Sequence, residues 1–158
     1  MKKIRVLTSL ALTLILTLSL FTTAAYAAND TYFMQNRNIT GWVPQSNTAH
    51  TDTGAYTMVG THAVVEGVLY TVNTPTTIKV VLQKMVGGIV IGESTLSYNV
   101  TYSGGTTTNL RTGQPVQGKY FKLSFDVSDG AQYRIRFCNP SRTGELVSIT
   151  QIYFYSWA

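Results

Sequence analysis

His62 and Glu66 are the pair of side chains in this sequence most readily set to chemistry. They stand four residues apart and so share one face of any regular strand. There an imidazole and a carboxylate can orient a proton transfer or give a metal two ligands. Either task needs a third group, and none stands at a defined spacing from them. His50 and Asp52 are neighbours in irregular, polar chain, so no metal site is assigned. The chain has no Gly-x-Ser-x-Gly elbow, no His-Glu-x-x-His and no glycine-rich phosphate loop. Two of Glu66, Glu93, Asp126, Asp129 and Glu145 could flank a glycosidic bond. With seven acids to choose from, such a pair is undiagnostic, and Asp129 already belongs to a turn. The residues point away from catalysis, and no catalytic residue or cofactor is assigned.

Binding chemistry is better represented. Trp42 and Trp157 lie outside the regular core strands, where an indole can stack on a pyranose ring as readily as plug an edge. Tyr155 and Trp157 share parity, which gives the last strand a small aromatic platform. Tyr120, Lys122, Arg134 and Arg136 share the wet face expected of a hairpin, a patch suited to a sugar ring beside phosphate or carboxylate. In that hairpin Lys122 faces Arg136, which is unfavourable unless an acid such as Asp126 or Glu145, or an anionic ligand, lies near. Cys138 falls on the same side as both arginines. Nearby cations lower a thiol pKa, although an unpaired cysteine is more often a small buried residue.

These side chains are carried by strands. Thr, Val, Tyr, Ile and Phe are abundant, and Gly or Pro interrupts every stretch that might form a helix. Strands are expected near 55–59, 62–72, 77–86, 89–91, 95–102, 119–127, 131–138 and 146–155. In 95–102, Leu96, Tyr98, Val100 and Tyr102 alternate with polar residues. In 119–127, Phe121, Leu123, Phe125 and Val127 do the same. Period-two alternation buries one face and wets the other, as in antiparallel sheets. The turn Ser128-Asp129-Gly130 predicts a three-residue loop with Gly130 left-handed, placing Phe125 opposite Tyr133 and Leu123 opposite Ile135. Residues 103–117, with Arg111 and Pro115, form a long loop and the best loop candidate for a site. Residues 28–54 are read as irregular, with a short strand near 39–43.

The fold expected is all-β: an antiparallel two-sheet β-sandwich, jelly-roll-like, over 55–158. Through strands such as 120–127 and 133–137 the chain resembles the jelly-roll sandwiches of carbohydrate-binding modules and other small secreted bacterial proteins. No binding residue is carried over from that resemblance.

Residues 1–27 read as a secretory signal peptide. Lys2, Lys3 and Arg5 precede an apolar run with scattered Thr and Ser, and Ala25-Tyr26-Ala27 offers a cleavage site after Ala27. The run is too short and too interrupted for a transmembrane anchor. Its removal takes three of the chain's 12 basic residues, leaving nine against seven acids, net +2. That balance argues against nucleic acid as a partner. The 131 residues left after the leader suit one domain, and a lone cysteine excludes an intrachain disulfide. The expectation is a secreted, non-catalytic protein binding polysaccharide or an anionic cell-wall polymer. The alternatives are a self-associating extracellular structural protein and, below it, a small membrane-active toxin.

Overall fold

Stretches rich in Thr, Val, Tyr and Ile become strands, and every strand pairing is antiparallel. The computed structural model describes residues 30–42, 50–71, 75–91, 97–138 and 146–158. The expected leader, Glu93, Leu96 and Glu145 lie outside them, as does the side chain of Trp42. In chain order the strands are β1 (Thr31–Trp42), β2 (His50–Asp52), β3 (Tyr56–Thr57), β4 (His62–Thr71), β5 (Thr76–Val86) and β6 (Ile89–Val90). They continue as β7 (Ser97–Tyr102), β8 (Thr106–Thr108), β9 (Pro115–Gln117), β10 (Lys119–Asp126), β11 (Gln132–Cys138) and β12 (Val147–Trp157). Among the described residues there is no helix, hence none long and apolar enough to cross a membrane.

One sheet runs β1-β12-β4-β10. The second runs β2-β11-β5-β6, with β3 also paired to β11 and β7 to β5, and β8 and β9 form a separate hairpin. One of the sheets is curled. A single apolar cluster draws on both main sheets: Ala63, Val65 and Leu69 of β4, Phe121 and Phe125 of β10, Ile78, Val80 and Leu82 of β5, Tyr133, Ile135 and Phe137 of β11, and Ile149 and Phe154 of β12. Full burial of each such side chain contributes about 1.5–3 kcal/mol, which places the main source of stability here.

Three expectations are corrected. First, β10 and β11 do not form a hairpin. β10 pairs with β4, and β11 pairs with β5 and with β2 and β3. Gly130 is left-handed, at φ 70°, but its turn carries the chain from one sheet to the other. Phe125 and Tyr133 are both buried in the cluster without being cross-strand neighbours. Second, residues 31–42 are not irregular. They form β1, whose register against β12 shifts four times, with Asn36 held at φ 51°. Bulges of this kind erase the period-two pattern from the sequence. Third, residues 103–117 are not an open loop: they contain β8 and β9, and the turn between these strands folds onto the first sheet.

Candidate functional site

β4 is buried on both faces. Ala63, Val65 and Leu69 enter the core, yet Val64, Glu66 and Val68 on the opposite face are covered too, and Glu66 is only 2 % exposed. A buried carboxylate is costly unless it is paired and hydrogen-bonded. Glu66 finds its partners in the β8–β9 hairpin and in the tyrosines of the neighbouring strands. Arg111, in the turn of that hairpin, donates its Nε–H to Glu66 Oε1. The Tyr120 hydroxyl donates to Oε2 at 2.7 Å. Lys122 stands directly across the ladder from Glu66 on β10, and Tyr153 does so on β12.

The hairpin is shaped to deliver this arginine. Asn109, buried, accepts the N–H groups of Arg111 at 2.8 Å and Thr112 at 3.3 Å with its side-chain oxygen, which closes the turn. Its side-chain nitrogen donates to Gln151 Oε1 at 2.5 Å. Gln151 occupies the irregularity between Thr150 and Tyr153 of β12, at φ 52°, and its N–H is accepted by Asn38 Oδ1 at 2.9 Å. At the base, the Thr107 hydroxyl donates to the Gly118 carbonyl and accepts the Tyr120 N–H. The bulge in β12 thus presents the acceptor that anchors the turn.

Three rings surround the guanidinium. Its central carbon lies 4.2 Å from the Tyr153 centroid, 5.4 Å from Tyr155 and 5.6 Å from Tyr32, all within cation–π range. The Tyr32 hydroxyl also accepts from Arg111 Nη1 at 3.3 Å. Burial pulls the guanidinium pKa down, but the hydrogen bonds to Tyr32 and Glu66 and the Glu66 charge outweigh it and hold the proton more firmly. Burial raises the Tyr120 hydroxyl, and its bond to Glu66 and that residue's charge raise it further, against a smaller opposing effect of Arg111. Tyr155 is raised by burial and by Glu66, with Lys122 and Arg111 opposing. Around Glu66 the cluster thus favours a charged Arg111 guanidinium and neutral Tyr120 and Tyr155 hydroxyls.

Along the same face the rings continue. Tyr32 packs 5.0 Å from Tyr155, Tyr155 lies 6.0 Å from Trp157, and Trp157 stacks on His62 at 5.6 Å with planes 17° apart. His62 lies 3.9 Å from Asp126 and shares a 3.0 Å hydrogen bond with the Thr61 hydroxyl.

The residues singled out by sequence therefore separate into two groups. Tyr120, Lys122 and Trp157 belong to this face of the β1-β12-β4-β10 sheet. Arg134 and Arg136 lie on the other sheet, because β10 and β11 part company at the Gly130 turn. There Asp52 of β2 binds Arg136 at 2.7 and 2.8 Å and Arg134 at 3.0 Å, and Gln83 accepts from Arg134 Nε at 2.8 Å. Lys122 consequently faces Glu66 and not Arg136, and among the described residues the acid beside the arginines is Asp52 and not Asp126. Trp42 sits on β1 across from Val147. Burial alone would raise the Asp52 carboxyl, but Arg136, Arg134 and His50 hold it below its usual value. Cys138 is half-buried, and its thiol is pushed up by burial despite Arg136 and Lys79, so the cations do not activate it.

Tyr32 and Tyr153 were not picked out from the sequence, Arg111 was named only as part of the 103–117 loop candidate, and Glu66 only as half of a pair with His62. Among the described residues Asp126 of β10 also lies on this face, across from His62 and four residues along the ladder from Glu66. That is about 13 Å at strand rise, beyond the roughly 5–9.5 Å at which two carboxyls flank a glycosidic bond. No group of three or more metal-ligating side chains occurs among the described residues.

Fold and site together define an all-β antiparallel protein with a tyrosine-lined, ion-paired sheet face. No known protein family and no curated protein sequence matches the chain.

Proposed function

We propose that the chain is a secreted, non-catalytic β-sandwich protein that binds carbohydrate or a cell-envelope polymer on the outer face of the β1-β12-β4-β10 sheet. The observation that carries this reading is the row of half-exposed rings Tyr32, Tyr153 and Trp157, immobilised by neighbouring rings and by Arg111 and flanked by Lys122. Rings already fixed in place lose little freedom when a sugar stacks on them. Lys122 adds a cation for a carboxylate or phosphate on the polymer. Export is supported by the basic start, apolar run and small-residue cleavage site of residues 1–27.

A jelly-roll sandwich is supported by the strand order. With the two-residue β3 and β6 and the separate β8–β9 hairpin set aside, eight strands remain. Their order is first-eighth-third-sixth in one sheet and second-seventh-fourth-fifth in the other, the path traced by two interleaved Greek keys. The self-associating alternative would use the long β1 edge. The four register shifts there are a device that opposes edge-to-edge pairing.

Pull-down on a panel of insoluble glycans and cell-wall preparations tests the reading. Retention of the wild type, weakened about tenfold by Trp157→Ala, is expected. Failure of the wild type to be retained on any matrix removes the proposal.

A further inference from the structure

The hairpin joining β5 to β6 ends in an apolar tip that the binding face does not use. Met85 pairs with Val90 and Val86 with Ile89, and the Ile91 N–H reaches the Lys84 carbonyl at 3.1 Å. Gly87 and Gly88 make the turn at φ 58° and 81°, the left-handed pair that a two-residue hairpin loop demands. Cross-strand pairing and period-two parity put Lys84, Val86, Ile89 and Ile91 on one face of this ribbon. Val86 is 54 % exposed, Ile89 69 % and Ile91 46 %. Among the described strands β6 pairs with β5 alone.

We propose that this tip docks the protein onto an anionic lipid surface. Three aliphatic side chains on a narrow convex turn are far from the roughly 20–30 residues per side that a stable protein interface uses. A bilayer needs no matching contour and can surround a protruding tip from every side. The two-residue turn leaves few backbone groups to desolvate, since the N–H and C=O groups of the Val86–Ile89 pair bond each other. Lys84 stands two residues behind Val86, about 7 Å along the strand. That distance places its ammonium at headgroup level when the tip enters to the 5–10 Å depth usual for interfacial insertion. The ammonium lies 3.2 Å from the exposed Ser128 hydroxyl and 6.0 Å from the Tyr133 ring centroid, and no described acid forms an ion pair with it. This surface belongs to the second sheet and does not depend on the polymer-binding reading.

The test is co-sedimentation of the full chain with phosphatidylcholine vesicles, with and without phosphatidylglycerol. Val86→Ser with Ile89→Ser should weaken binding at least about tenfold. Lys84→Gln should weaken it about fivefold on the anionic vesicles only. Because Val86 and Ile89 are exposed, circular dichroism and melting of the serine variant should stay as in the wild type. As a readout confined to the tip, Ile89→Trp should gain a blue-shifted emission component on anionic vesicles. Absence of wild-type binding to anionic vesicles, serine variants that bind as well as the wild type, or an unshifted Trp emission overturns the proposal. So does a dimer in sizing chromatography that the serine substitutions abolish, since the tip would then join two copies.

Discussion

Arg111→Ala should cost far more than an ordinary surface substitution. Arg111 is 27 % exposed at its side chain, but the carboxylate it binds is 2 % exposed. Removing one partner of a buried pair costs about 3–5 kcal/mol, because the remaining charge is left without compensation. Tyr120 still donates to Glu66 and Lys122 still stands across the ladder, so the expected loss is at the lower end, about 3 kcal/mol. For a unit of this size that lowers the melting temperature by about 10 °C. Glu66→Gln in the Arg111→Ala background should recover part of the loss, because the amide no longer needs a cation. A coupling of about 2 kcal/mol is then expected from the double-mutant cycle.

The hairpin offers the mutant a second way out. The turn can lift and let water reach Glu66, which limits the global cost to the work of undocking Asn109 from Gln151. Amide exchange separates the two. If the turn lifts, protection falls at Arg111 and Thr112, whose N–H groups are held by Asn109, and at Gly113, held by the Asn109 carbonyl at 2.7 Å. If the core absorbs the cost, the denaturation midpoint falls and local exchange follows it. A variant within about 0.5 kcal/mol of wild type, with unchanged exchange at these three amides, refutes the buried ion pair.

Asp52→Asn should remove the stability that Arg136 and Arg134 draw from this acid, about 1 kcal/mol for a pair near the surface, measured by urea denaturation. The folded Asp52 carboxyl lies below its usual value. The unfolded chain therefore takes up the proton first as pH falls below about 3.9, and the contribution is full above that point and lost toward more acid pH; the mutant's acid limb should be flatter. Tyr120→Phe acts at the other end. Its folded pKa is raised, so its contribution is full below the unfolded value of about 10 and is lost as pH climbs toward the folded value. Phenolate absorbance should show one fewer late-titrating tyrosine, and an unchanged alkaline limb would count against the Tyr120–Glu66 bond. Gly60→Ala should destabilise strongly, since a Cβ there would lie 2.2 Å from the Trp157 carbonyl oxygen at φ 83°. The dihedral alone costs about 1–3 kcal/mol, read from the melting temperature.

How much of this was legible in the sequence follows from what period-two alternation encodes. It reports which side chains a strand buries, and Phe121, Phe125, Tyr133, Ile135 and Phe137 are buried as expected. It does not report the partner strand. A turn such as Ser128-Asp129-Gly130 can close a hairpin or carry the chain across the core, and both choices bury the same residues. That ambiguity decides the site, because it assigns Lys122 to Glu66 and leaves Arg136 to Asp52, 84 positions away. β1 was hidden for the opposite reason: its shifts against β12 break the alternation that would have revealed it. The same irregularity in β12 turns Gln151 toward Asn109 and so fixes where Arg111 lands. Bulges mark positions where the ladder yields to another requirement. Here that requirement is the docking of a turn whose arginine compensates a carboxylate inside an otherwise apolar sheet, a long-range pairing that no local pattern encodes.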